Sequence, residues 1–131
     1  MGEGKKNIRV LVVTDSRDRI NFLSYHIRSH DMKPVSYPNP WAAMHALEVD
    51  AFGMVVVDLT LPVEGKLELV KRACLWQKGA KMAVIGKTEY LEESGALDRF
   101  ASVERIPSIQ AFPEWLGEES LSEDRSRASS R

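Results

Sequence analysis

Met54-Val55-Val56-Val57-Asp58-Leu59-Thr60-Leu61-Pro62 is the stretch on which the fold turns. Four apolar residues, three of them β-branched valines, end abruptly in one carboxylate, and Pro62 and then Gly65 signal a loop. So short an uninterrupted apolar run reads as a strand buried on both faces, as in a parallel sheet under helices. In such sheets ligands bind outside the carboxyl ends of the strands. Asp58 therefore stands where chemistry is done, because an ionised carboxylate at the mouth of a core strand adds nothing to packing.

The same alternation runs outward in both directions. Upstream, Ile8 to Val13 is a first apolar strand, closed by Thr14-Asp15-Ser16. Ile20, Leu23 and Ile27 recur at helical spacing between Arg17 and His30, with Asp15 or Ser16 as N-cap and Phe22 at the flank of the stripe. Lys33 to Tyr37 is a short strand near a sheet edge, since Pro34 cannot donate to a ladder. Asn39-Pro40 opens a second helix whose inward face is Trp41, Met44 and Leu47. Downstream, a third helix runs from about Lys66 to Lys78, with Leu67, Val70, Ala73 and Cys74 on one face and Gly79 as its stop. Met82 to Ile85 is a fourth strand ending at Gly86, and a helix over Tyr90 to Phe100 follows. Ser102 to Ile106 is a fifth strand stopped by Pro107. A last helix begins near Ser108 with Ile109, Phe112 and Leu116 inward; Pro113 either kinks it or marks its true start.

Five strand–helix units of this length predict a single α/β domain: a flavodoxin-like five-stranded parallel sheet, order 2-1-3-4-5, with helices on both faces. Residues 8–117 form the domain and 1–7 an N-terminal extension. Residues 118–131 are polar with little to bury and read as a disordered tail or linker.

Composition narrows the class. The chain has 131 residues, 44% hydrophobic and 28% charged, enough for one globular core. A net charge of −1 supplies no basic field for nucleic acid or an anionic membrane. Cys74 is the only cysteine, so no internal disulfide or zinc cluster is expected, which fits a reducing, cytoplasmic setting. No apolar stretch reaches membrane-spanning length, and the start Met1-Gly2-Glu3-Gly4-Lys5-Lys6 lacks the apolar core of a signal peptide. His26, His30 and His45 are scattered over helices and make no ligand set; Cys74 reads as an inert packing residue. Trp41 reads as core, whereas Trp76 and Trp115 are expected to be partly exposed.

In the order 2-1-3-4-5 the first and third strands flank the switch point, which brings Asp15 and Asp58 into one crevice. Two carboxylates can hold a hard divalent cation such as Mg2+, and the Thr60 carbonyl can add an oxygen. A metal there can orient a phosphoryl donor for attack by a carboxylate oxygen. A nucleotide- or flavin-binding domain, or an enzyme on the same fold, is the alternative from another class. Against it, the first strand is followed by Thr14-Asp15-Ser16-Arg17-Asp18, two acids where a glycine-rich phosphate loop would be.

VLVVTDS (Val10 to Ser16) and VVVDLTLPVEG (Val55 to Gly65), together with the placing of later elements, resemble the CheY-like receiver domain of two-component response regulators. The resemblance spans roughly Ile8 to Leu116. It implies that Asp58 is the phospho-acceptor and that Asp15, Asp58 and the Thr60 carbonyl bind Mg2+, here weakly. It also exposes departures. Thr14 replaces the first of two adjacent acids, and Gly86 replaces the Ser or Thr after the fourth strand. Ile106 replaces the Lys before the proline of the fifth strand, and Val103 replaces the aromatic switch residue. Lys87 and Arg105 are the candidate substitute cations, although Arg105 is one residue off and points to the other face.

The resemblance therefore implies an atypical receiver, a pseudo-receiver. It is a non-enzymatic signalling module of a two-component or phosphorelay system that works by protein–protein interaction, with Asp58 retained and the phosphorylation switch impaired. A conventional phospho-accepting receiver is the alternative within the fold. The expected partners are signalling proteins, a histidine kinase or phosphotransfer protein among them, met through the fourth helix, fifth strand and last helix. On this reading Asp58→Ala leaves partner binding largely intact.

Overall fold

β1 (Arg9–Val13) and β3 (Met54–Asp58) are adjacent parallel strands, with Val13 opposite Val57. β2 (Lys33–Tyr37) pairs with the far side of β1, β4 (Lys81–Ile85) with β3, and β5 (Val103–Ile106) with β4. All pairings are parallel and the order is β2-β1-β3-β4-β5, as the sequence predicts. The computed structural model describes residues 8–37, 39–60, 65–77, 79–86 and 103–119, the Leu67 side chain excepted.

α1 (Arg17–Ser29), α2 (Pro40–Val49) and α3 (Lys66–Trp76) follow the first three strands. A 3-10 turn, Ile109–Ala111, leads into α4, residues 112–119. Successive strand side chains face opposite ways, and the valine-rich runs are buried on both sides. Val10, Val12 and Val56 pack with Leu23 and Ile27 of α1 and with Phe112 and Leu116 of α4. Leu11, Val13, Val55 and Val57 pack with Ala43, Met44 and Leu47 of α2 and with Leu69, Val70 and Ala73 of α3. Each Val, Leu, Ile, Met or Phe among them contributes about 1.5–3 kcal/mol on full burial. This two-sided burial is the reason these strands show no polar alternation.

Local chemistry sets the helix ends. Ser16 Oγ accepts from the Arg19 N–H at 3.3 Å, and Asn39 Oδ1 accepts from the Ala42 N–H at 3.0 Å. Both satisfy donors that a helix start leaves unpaired. Pro113 lies in the first turn of α4, where its missing N–H costs nothing, so it marks the start of the α-helix rather than a kink. α4 runs two residues past the expected boundary at 117, and Lys81 Nζ pairs with Glu119 Oε2 at 3.2 Å. Burial pushes the Cys74 thiol up from its ordinary pKa, in keeping with a packing role.

One core assignment is corrected. Trp41 is 60% exposed, while Ala43, Met44, Ala46 and Leu47 face inward. At 100° per residue, Trp41 lies roughly 140° from the centre of that buried stripe, so the spacing 41-44-47 misplaces it. The expected helix over Tyr90 to Phe100, Lys87, the extension 1–7 and the chain from 120 onward lie outside the described residues.

Gln77 ties the two helices of one face together. Its Nε2 donates to the carbonyls of Leu47 at 2.9 Å and Asp50 at 2.8 Å, and its Oε1 accepts from the Phe52 N–H at 3.1 Å. The Leu47 carbonyl is among those the end of α2 leaves without a helical partner. Gln77→Ala is expected to cost about 2 kcal/mol, the net of three part-buried hydrogen bonds, read from the urea midpoint. An unchanged midpoint would show that the tie carries no stability.

Candidate functional site

The carboxyl ends of β1 and β3 open into one crevice, where the turn Thr14-Asp15-Ser16 meets Asp58. Asp58 is fully buried, and both of its carboxylate oxygens are engaged. Oδ2 accepts from the Thr14 hydroxyl at 2.9 Å and from Arg19 Nη1 at 3.1 Å. Oδ1 accepts from the Thr60 N–H at 2.9 Å. Thr14, itself fully buried, is thus a donor to the carboxylate, and its Oγ1 also accepts from the Ser16 N–H at 3.5 Å. Thr60 meets Asp58 through its amide, by way of a turn two residues long.

Lys66, the first residue of α3, is the unexpected member. Its side chain is 1% exposed; Nζ donates to the Asp58 carbonyl oxygen at 2.7 Å and lies 3.7 Å from Asp15 Oδ1. Asp15 and Asp58 therefore do share the crevice, joined through an ammonium. Arg19, in the first turn of α1, is the second cation. Neither was singled out by the sequence reading, yet a signal was present. A helix N-terminus carries partial positive charge and disfavours cations in its first turn. A lysine opening α3 directly after Gly65 and an arginine in the first turn of α1 go against that preference, a weak signal that the exposed Arg17 shares.

The remaining expected positions are scattered. Gly86 closes β4 with a φ of +98°, and its N–H donates to the Ile106 carbonyl at 2.9 Å. A Cβ built there would lie 2.8 Å from Thr60 Oγ1 and 3.1 Å from the Thr60 backbone nitrogen. The backbone at this position thus leaves little room for any side chain. Ile106 is buried among the α1 and α4 contacts, and Val103 is buried toward the opposite face. Arg105 is exposed and lines a hollow of about 200 Å3 with Pro107, Glu114 and Trp115.

Mg2+ is the ion this architecture implies, and the side chains present do not fit it. Mg2+ needs near-octahedral oxygens and gives up its waters reluctantly. Here Asp58 Oδ2 accepts from both Thr14 and Arg19, Lys66 lies between Asp15 and the Asp58 carbonyl, and two carboxylates already face two cations. Among the described residues, no three Asp, Glu, His or Cys side chains converge as a metal cluster.

No protein-family model and no curated protein matches the sequence. Solved structures do match in shape. The chemotaxis response regulator CheY4 of Vibrio cholerae superposes with a TM-score of 0.67 at 17% identity, over 86% of this chain and 98% of that one. The fold is that of response regulator receiver domains. TrrA of Thermotoga maritima, a response regulator solved with Mg2+–BeF, gives 0.62 at 16% identity over 77% of this chain and 85% of its own. A structure described as an adenylate cyclase from Rhodopirellula baltica gives 0.62 at 18% identity, covering 89% of this chain and 98% of that one. At these identities it is the receiver fold that is shared. No helix among the described residues is long and apolar enough to cross a membrane.

Proposed function

We propose that the chain is a receiver-like signalling module of a two-component or phosphorelay system that works through protein–protein contact and is not switched by phosphorylation at Asp58. The observation that carries this reading is the state of Asp58: wholly buried, with donors on both carboxylate oxygens. A nucleophile must present a free lone pair to phosphorus, in line with the leaving group. Here Oδ2 accepts two hydrogen bonds and Oδ1 one, so the lone pair that is left lies on Oδ1, beside the Thr60 N–H, in a residue with no exposed surface; attack would first require the crevice to open. The hydroxyl and ammonium that the receiver resemblance expects for the transferring phosphoryl are absent at Gly86 and Ile106, and the cations that are present, Arg19 and Lys66, are already engaged by Asp58 and Asp15.

The module acts in the cytoplasm without binding nucleic acid itself, and a histidine kinase or phosphotransfer protein is its upstream contact class. Its partner surface includes β5 and α4. In the described part, Arg105, Glu114, Trp115 and Glu118 bring charge and an indole together around one hollow. That mixture of aromatic and arginine is typical of docking surfaces.

The test is amide NMR of the full chain with Mg2+ and acetyl phosphate, or beryllofluoride in its place. The expected spectra show no shifts at Thr14, Thr60 or Gly86. Stoichiometric phosphorylation at Asp58, with shifts spreading to Val103, would restore the conventional switch.

A further inference from the structure

The acidic crevice is neutralised from within. Asp15 and Asp58 bring two negative charges, and Arg19 and Lys66 bring two positive ones at 3.1 Å and 3.7 Å. Lysine is seldom buried without partners, and Lys66 at 1% exposure has two: the Asp15 carboxylate and the Asp58 carbonyl. We infer that Arg19 and Lys66 are the resident counter-ions of this site, that they take the place of a divalent cation, and that removing them uncovers a Mg2+ site that the native protein keeps closed. The inference rests on reading the crevice as the acidic pair of a receiver fold. Its readout uses no phosphoryl donor, so the two readings fail separately.

The electrostatic argument is direct. A divalent ion bound between Asp15 and Asp58 would lie beside both cations, and like charges roughly 4 Å apart repel, moderately at the mouth where Asp15 is 42% exposed and more strongly within, where Lys66 and Asp58 are buried. Binding would have to expel Lys66 from its enclosed position and turn Asp58 away from Arg19. With Lys66→Met the aliphatic volume stays and the charge goes; with Arg19→Gln the Asp58 Oδ2 atom keeps only the Thr14 hydroxyl. Two carboxylates and a carbonyl are then open to a hard cation, which could keep its remaining waters.

Mn2+ is the probe, because its paramagnetism broadens nearby amides. The full chain, the Lys66→Met variant and the Arg19→Gln/Lys66→Met variant are titrated while the amides of Thr14, Ser16, Thr60 and Gly86 are followed, with Mg2+ as competitor. Circular dichroism confirms the fold of each variant. The native chain is expected to show no saturable broadening through the millimolar range. The double variant is expected to bind saturably, at least about a hundredfold more tightly, with Mg2+ displacing the probe. Saturable, Mg2+-displaceable broadening in the native chain overturns the inference, as does a folded double variant that binds no better than native. Where the double variant does not fold, Lys66→Met alone carries the test: saturable, Mg2+-displaceable broadening tighter than in the native chain is expected, and a folded single variant that binds no better than native overturns the inference.

Discussion

Asp58→Ala is expected to destabilise the protein by about 3 kcal/mol, lowering the melting temperature on the order of 10 °C. The loss comes from what the carboxylate leaves behind. The Thr14 hydroxyl is fully buried and would lose its acceptor. Arg19 would keep its charge at a largely buried position without the anion 3.1 Å away. The Thr60 N–H would lose the bond that holds the turn after β3. Asp58→Asn is expected to lose roughly half as much. It retains an acceptor for Thr60 and fills the same volume, but it offers Arg19 no charge. Urea unfolding of both variants measures this, and an alanine variant as stable as the native chain would show that the network carries no stability. The result bears on how signalling is assayed. The sequence reading expects Asp58→Ala to spare partner binding, but in this structure the alanine change confounds loss of an acceptor with loss of fold. Asp58→Asn, assayed well below its melting temperature, is the variant that should leave partner binding intact.

The strands were legible because each physical requirement left a mark in the local sequence. A strand covered on both faces must be apolar throughout, and Val10 to Val13 and Met54 to Val57 are. A helix start needs an acceptor, and Ser16 and Asn39 supply it. The crevice followed from topology: once strand order is assigned, the residues closing β1 and β3 must meet. What the sequence hid was set by tertiary contact. Lys66 and Arg19 look like surface cations in the linear chain; only the folded crevice shows that one is enclosed and the other aimed at Asp58. Gly86 read as a deletion of function, whereas its backbone and the approach of Thr60 show a position that excludes a side chain. Trp41 failed because a three-residue spacing alone does not fix which side of a helix is inward. Its ring instead lies near Gly65, where an added Cβ would come within 3.2 Å of it.

Gly86→Thr, the change that introduces a hydroxyl where the receiver resemblance expects one, is expected to leave Asp58 unphosphorylated and to destabilise by about 2 kcal/mol or more. The φ of +98° lies in a region that β-branched residues hardly enter. The added Cβ would also press on Thr60 at 2.8 Å from its hydroxyl oxygen and 3.1 Å from its backbone nitrogen. The hydroxyl can rotate away, but the backbone nitrogen cannot move freely, because its N–H is the donor to Asp58 Oδ1. Relief of the clash therefore loosens the very carboxylate that the hydroxyl is meant to serve. Two companions separate the contributions. Gly86→Ala carries the backbone strain with the first carbon of the side chain, and Gly86→Ala with Thr60→Ala removes the Oγ1 contact while leaving the strain. The expected order of stability is native, then the Ala/Ala pair, then Gly86→Ala, then Gly86→Thr, read from urea midpoints. Acetyl phosphate should label Gly86→Thr no better than the native chain, since Arg19 still covers one Asp58 oxygen and Ile106 still lacks an ammonium. A Gly86→Thr protein of native stability that accepts phosphate at Asp58 would mean that the turn after β4 readily accommodates a side chain, and that one substitution separates this crevice from a working switch.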